Sequence, residues 1–195
     1  MTAPDQEKRA LRRRLREVTL PPSEHAALSA ALCACILASE AWRRADCVAA
    51  FVPLPEEADI RPLLRAALAT GRLALPATLP DRSIVFRYAS LPFPDGLVPD
   101  AFGIPAPPES SPTVPPEVIG LMLMPLTACD RQGHRLGKGA GCYDRWLADH
   151  PCGACRMGIA LPGQLLDRVP ADAHDIPLHC IATPEGILTC DPAAD

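Results

Sequence analysis

From Arg135 to Arg145 the chain reads Arg-Leu-Gly-Lys-Gly-Ala-Gly-Cys-Tyr-Asp-Arg, the densest gathering of chemically useful residues in the sequence. Gly137, Gly139 and Gly141 alternate with Lys138 and Ala140 and lead into a predicted helix over Tyr143–Asp149. Small residues let backbone N–H groups approach phosphate oxygens, and a helix N-terminus adds partial positive charge. Arg135, Lys138 and Arg145 add full charges, and Asp144 offers a hard oxygen ligand for Mg²⁺. The pattern predicts a site for the phosphates of a nucleotide such as ATP. A Walker A loop is excluded, because Gly133 to Gly137 is one residue short and Gly139 follows the lysine. A Rossmann fingerprint is excluded too. This run reads G-x-G-x-G and follows a charged turn instead of opening directly from the first strand.

A second concentration of charge lies at Lys8–Arg16, where six of nine residues are basic. It is local, for the net charge of the 195 residues is −4. The chain as a whole offers no general field for nucleic acid, while a local anion site fits. Hydrophobic residues make up 48% of the chain, yet the longest apolar stretch, Ala26–Ala38, falls short of a membrane span. No apolar segment follows the basic residues at the start, so a soluble cytoplasmic protein is expected. The nine cysteines are then buried or incidental thiols instead of a disulfide framework. Cys152-Gly-Ala-Cys155 has redox or zinc spacing but no second pair or histidine at finger spacing, and reads as loop.

These residues need a frame. A first helix is expected from Thr2 or Pro4 to about Glu17, with Leu11, Leu15 and Val18 as its apolar stripe. Ser23 is a candidate N-cap for a second helix burying Leu28, Leu32, Cys35 and Ile36. A buried strand follows over Cys47–Val52. Asp59 is placed to cap a helix over Ile60–Ala69, which Gly71 ends. Further strands are expected at Arg72–Pro76, Val85–Ala89, Ile119–Met124, Met157–Leu161 and Cys180–Thr183. The proline-rich residues 92–116 read as a surface connection within one domain of residues 1–195. Alternating strands and helices predict an α/β fold, a mainly parallel sheet with helices on both faces. Ligands in such folds bind beyond the C-terminal ends of strands, and the glycine-rich run follows the strand ending at Met124.

The same residues resemble the signature of the 5-formyltetrahydrofolate cyclo-ligase (5,10-methenyltetrahydrofolate synthetase) family: Arg-Leu-Gly, a variable residue, a glycine triplet, an aromatic pair, then Asp and often Arg. Ala140 and Cys142 replace one glycine and one aromatic of that pattern, and Ala106 stands where a Glu before Pro is common. Lys8–Arg12 resembles the family's basic helix, Phe51–Glu57 its strand and acidic turn, and Phe102-Gly-Ile104 its Gly-Ile loop. Gln164 and Val169–Asp175 resemble its closing motif. The resemblance implies a Rossmann-like sheet similar to the NagB/RpiA/CoA-transferase-like fold. It also implies conversion of 5-formyltetrahydrofolate to 5,10-methenyltetrahydrofolate with ATP and Mg²⁺, releasing ADP and phosphate, through phosphorylation of the formyl oxygen.

Carried onto this sequence, the resemblance assigns ATP to Lys8, Arg9, Ala10, Leu11 and Arg12, and to the loop Arg135, Leu136, Gly137, Lys138, Gly139, Ala140, Gly141, Cys142 and Tyr143. It assigns the metal to Asp144 and Asp175, and the reduced folate to Val52 and Glu57. Tyr143 is expected beside the reacting groups, Arg145 against charge developing in the transition state, and Lys138 in a lesser supporting role. Two readings compete with this ligase. One keeps the fold and ATP site but changes the substrate; the other is a non-catalytic nucleotide- or RNA-binding regulator using the basic helix. His134 and His174 flank the run and are expected to be surface or orienting residues.

Overall fold

The computed structural model describes residues 3–15 and 20–191. Glu17 and Val18, expected at the end of the first helix, lie outside the described residues. The first helix, α1 (Ala3–Leu15), is followed by α2 (Pro22–Ala38) and α3 (Glu40–Arg44). Prolines start α2, with Pro21 before it and Pro22 at its first position, so Ser23 lies inside the helix and does not cap it. Its buried side is Ser29, Leu32, Cys33 and Ile36, with Cys33 instead of Cys35 facing inward. Strand β1 (Cys47–Ala49) leads through α4 (Arg61–Ala69) to β2 (Leu73–Thr78) and β3 (Ile84–Tyr88). Asp59 supports the start of α4 by accepting the Arg61 N–H at 3.1 Å, and Gly71 closes its end in a left-handed conformation.

The prolines of residues 92–116 do not leave a bare loop. Two short strands, β4 (Val98–Pro99) and β5 (Pro105–Ala106), pair antiparallel around a tight turn. Beyond them come β6 (Ile119–Met124), β7 (Ala128–Asp130), β8 (Arg135–Leu136), α5 (Cys142–Asp149), β9 (Cys155–Ile159), β10 (Leu165–Leu166), β11 (Cys180–Thr183) and β12 (Gly186–Thr189). The main sheet has seven strands in the order β12-β11-β9-β6-β1-β2-β3. Its middle strands, β11 to β2, run parallel, and antiparallel β12 and β3 close the two edges. A second sheet, β10-β7-β8, stands beyond the end of β6.

Alternation along β6 divides the interior. Leu121 and Leu123 pack with α2, Trp42 of α3 and the Leu63–Leu64 side of α4. Met122 and Met124 pack on the opposite face with Trp146 and Leu147 of α5. Phe86 meets Trp146 edge-on at 4.9 Å, fixing α5 against β3. Helices thus cover both faces of a mainly parallel sheet. From β1 the chain moves to β2 on one side and later to β6 on the other, which makes the β1/β6 junction the switch point where α/β folds open a crevice.

All nine cysteines are free thiols. Cys155 and Cys180, on adjacent strands, bring their sulfurs to 3.7 Å. The hydrogen bond between the two thiols, opposed by burial, brings the Cys155 pKa down to about 7. Cys155 is therefore expected to alkylate faster near neutral pH than the buried thiols of Cys33, Cys47 and Cys129, whose pKa values burial raises. In Cys180→Ala that advantage disappears and the labelling midpoint of Cys155 moves upward, measured by pH-resolved alkylation and peptide mass analysis.

Candidate active site

A cavity of about 700 Å³ opens outside the C-terminal ends of β1, β2 and β6. One wall is charged: Lys8, Arg9 and Arg12 of α1, the loop Arg135–Arg145, and Asp172–Asp175. The other is largely apolar, formed by Phe51, Val52, Pro76, Ile84, Phe102 and Ile104. Most residues singled out in the sequence meet here, including Val52, Glu57, Asp144 and Asp175. Ala10 and Leu11 are not among its walls. Ala10 is exposed, and Leu11 packs with Ala128, Leu136 and Val169, so this stretch of α1 turns its apolar side toward the β7–β8 hairpin and its cations toward the cavity.

The loop is built from below. Arg12 Nε donates to the Gly137 carbonyl at 2.8 Å, and a side chain at Gly139 would come within 3.4 Å of the Arg12 guanidinium carbon. Arg145 Nη1 and Nη2 donate to the carbonyls of Ala140 and Arg82 at 2.8 and 2.9 Å, tying the loop to the β2–β3 turn. Gly141 caps α5 with φ of +65°, a conformation that costs an L residue about 1–2 kcal/mol. A Cβ there would also lie 3.0 Å from Arg145 Nη1. Gly141→Ala is accordingly expected to weaken binding of a non-hydrolysable ATP analogue about tenfold, since roughly 1.4 kcal/mol is one decade. Titration calorimetry measures the effect. Unchanged affinity would show that the loop conformation is not the binding conformation.

Lys8 is buried and shared by two carboxylates, Asp172 Oδ2 at 2.6 Å and Asp175 Oδ2 at 2.5 Å. Burial alone would lower its pKa; the hydrogen bonds and charges of the two aspartates outweigh it, and the net shift is upward. Lys8 stays an ammonium. Arg135, also buried, donates from Nη2 to Asp144 Oδ2 at 2.9 Å, while Asp144 Oδ1 accepts the Ile176 N–H at 3.2 Å. Arg135 Nε is buried with no hydrogen-bond partner among the described residues. Its guanidinium lies 5.7 Å from the Tyr143 ring centre. Burial pushes the Tyr143 pKa up, partly countered by Arg135, so the phenol stays protonated across the physiological range and can donate but not act as a base.

Lys138 reaches across the cavity. Its ammonium meets Glu56 Oε1 at 2.5 Å and Glu57 Oε1 at 3.2 Å, and the Lys138 hydrogen bond holds the Glu56 carboxyl below its usual range. Glu57 is buried, with Oε2 accepting the Leu54 N–H at 2.9 Å. His134 orients toward Asp130, whose Oδ1 and Oδ2 accept the backbone N–H groups of Gln132, His134 and Val169 and the His134 ring. His174 is exposed at the cavity edge. Asp172 and Glu56 were not singled out as site residues in the sequence, although each stands in a quoted acidic run beside one that was.

Among the described residues, no three His, Cys, Asp or Glu side chains form a metal cluster. Nucleotide-bound Mg²⁺ takes one or two protein carboxylates and fills its shell with phosphate and water oxygens, and Asp144 and Asp175, both on the cavity wall, are oxygen donors of that type. Asp175 Oδ1 is the more open oxygen, with His174 Nε2 at 3.9 Å.

Comparison with known proteins bears on this geometry. The model of the 5-formyltetrahydrofolate cyclo-ligase family matches residues 4–184. The 5-formyltetrahydrofolate cyclo-ligase of Mycolicibacterium smegmatis is 36% identical over 148 residues, covering 71% of this chain and 73% of that protein. The Escherichia coli enzyme of the same name is 30% identical over 146 residues, covering 73% and 80%. The solved structure of Aquifex aeolicus 5,10-methenyltetrahydrofolate synthetase superposes with a TM-score of 0.81 at 26% identity, over 100% of this chain and 96% of that one.

Proposed function

The chain belongs to the 5-formyltetrahydrofolate cyclo-ligase family, and from that membership we propose how its cavity converts 5-formyltetrahydrofolate to 5,10-methenyltetrahydrofolate at the expense of ATP. The observation that carries the reading is the meeting of α1 cations, glycine loop and Asp144/Asp175 around one cavity with a charged and an apolar wall. The charged wall takes the triphosphate and the apolar wall takes the reduced folate. The formamide oxygen is a poor leaving group, and phosphorylation corrects that. The oxygen attacks the γ-phosphorus as ADP leaves; N10 then attacks the formyl carbon, the C–O bond breaks, and phosphate departs with loss of the N10 proton. No protein nucleophile is required, and the protein's contribution is positioning and charge neutralisation.

Loop N–H groups between Gly137 and Tyr143 surround the phosphates, with Lys8, Arg9 and Arg12 beneath. Asp144 and Asp175 would hold Mg²⁺, which would supply neutralisation of the phosphate charge. Tyr143 stands as a neutral donor beside the reacting groups. Arg145, already spent on two carbonyls, acts by keeping the loop closed as well as by its charge. Val52 and Glu57 contact the folate, Glu57 as a hydrogen-bond acceptor fixed by Leu54. Lys138 links that side to the nucleotide loop. The finer likeness of the sheet to the NagB/RpiA/CoA-transferase-like fold, one domain over residues 1–195 and a cytoplasmic setting belong to the same proposal; among the described residues no helix is long and apolar enough to cross a membrane. An RNA-binding role for α1 is disfavoured because Lys8 is buried against two aspartates.

The test is to mix purified protein with 5-formyltetrahydrofolate, ATP and Mg²⁺ at mildly acidic pH and follow the absorbance of the methenyl product. Absorbance rises with equimolar ADP, and chelation of the metal abolishes it. ATP binding without product would favour the same site acting on another substrate.

A further inference from the structure

Phe102 is half exposed, at 50%, although Phe51 and Phe86 are buried at 5% and 1%. An exposed ring on a loose loop would be unremarked. This one sits on a turn held by an unusual number of bonds. Asp100 Oδ1 accepts the N–H groups of Phe102 and Ile104 at 2.8 and 2.9 Å, and its Oδ2 accepts the Thr78 N–H at 2.9 Å, at the C-terminal end of β2. The backbone adds Asp100 N to Ile104 O, Gly103 N to Asp100 O, and Ala101 N to Thr78 O, at 2.9, 2.9 and 3.2 Å. Gly103 takes φ of +76° to complete the turn. Burial would raise the Asp100 pKa, but these backbone donors outweigh it, so the carboxylate that organises the turn remains ionised.

The ring is half exposed and belongs to none of the buried clusters, so core packing does not account for a backbone held this firmly. The position of the ring does. Phe102 lines the mouth of the cavity on the apolar wall, together with Ile104 and Pro105. A flat ring on a preorganised support offers stacking area at low entropic cost. We propose that Phe102 is a substrate-positioning residue whose ring packs on the aminobenzoyl ring of the reduced folate. N10 is attached to that ring, so holding it at the mouth directs the nitrogen toward the formyl carbon deeper in the cavity. The inference rests on the folate reading given above and adds to it a residue and the part of the substrate it holds.

Steady-state kinetics with varied 5-formyltetrahydrofolate and varied ATP distinguishes this role. In Phe102→Ala, KM for 5-formyltetrahydrofolate rises about tenfold, the scale of a lost aromatic contact together with its buried area. KM for ATP stays within twofold of wild type, roughly the precision of such a comparison. Thermal stability falls only slightly, since half of the ring already lies in solvent. Phe102→Tyr keeps the ring and restores the folate KM, while Phe102→Leu does not. Active Phe102→Ala with an unaltered folate KM, an equal rise for ATP, or full rescue by leucine would each overturn the proposal and leave the ligase activity standing. A wild-type protein that binds ATP but does not turn over 5-formyltetrahydrofolate would instead overturn the reading on which it rests.

Discussion

With Asp144 in its proposed place beside Mg²⁺, Asp144→Ala is expected to lower kcat/KM about 100-fold, the upper scale for disturbing the residues around a metal. It should also cost about 3 kcal/mol of stability, the scale for leaving one member of a buried ion pair without the other. The reason lies in where Asp144 sits. Its side chain is 17% exposed and Arg135 only 5%, so removal of the carboxylate leaves unpaired a guanidinium whose Nε has no partner among the described residues. The Ile176 N–H loses its acceptor as well, loosening the segment that carries Asp172 and Asp175. Asp144→Asn separates the effects. It keeps an oxygen for Ile176 but removes the charge, so most of the activity loss remains while part of the stability returns. Chemical denaturation and steady-state kinetics on both variants, with Arg135→Ala in a double-mutant cycle, measure the coupling. Additive losses would mean that the pair does not act as a unit.

Lys8→Met is expected to weaken ATP-analogue binding about 30- to 100-fold, or some 2–3 kcal/mol, the range seen when a charge-assisted bond is lost and its partners stay buried. Two aspartates then face each other without a cation, and α1 loses the ion pairs that dock it beside the closing segment. The pH dependence has a definite sign. Because the folded pKa of Lys8 lies above the ordinary lysine value of 10.5, its contribution is fully present below that value and is lost only as pH rises through the folded pKa. Between roughly pH 6 and 9, inside the plateau below the lysine's titration, wild type and Lys8→Met should therefore differ by a constant factor in affinity. A difference that varied across that window would assign the effect to another group.

Much of this site was legible in the sequence because its chemistry is local. Arg135–Arg145 carries its loop, its charges and its helix start in eleven consecutive residues. Apolar runs such as Ile119–Met124 were legible as buried strands for the same reason. What escaped depends on contacts between distant segments. The antiparallel direction of β3 and the edge strand β12 are set by pairing, which strand composition does not encode. The two-residue strands β8 and β10 are too short for any period to show. Proline density pointed to a bare connection over 92–116, yet Asp100 organises part of it through side-chain bonds that no propensity captures. Asp172 was passed over because an acid in a polar run is ordinary until a lysine 164 positions away is found beside it. The family resemblance assigns Ala10 and Leu11 to the nucleotide along with their neighbours, whereas helical geometry turns Leu11 to the hairpin and Lys8 and Arg12 to the cavity.

The central claim is that α1 and the glycine loop close on one triphosphate. Hydrogen–deuterium exchange with and without a non-hydrolysable ATP analogue and Mg²⁺ locates that contact directly. Slowed exchange concentrated at residues 5–15, 135–145 and 172–176 is the predicted result. Protection elsewhere in the chain, with exchange in the glycine loop unaltered by saturating analogue, would contradict it.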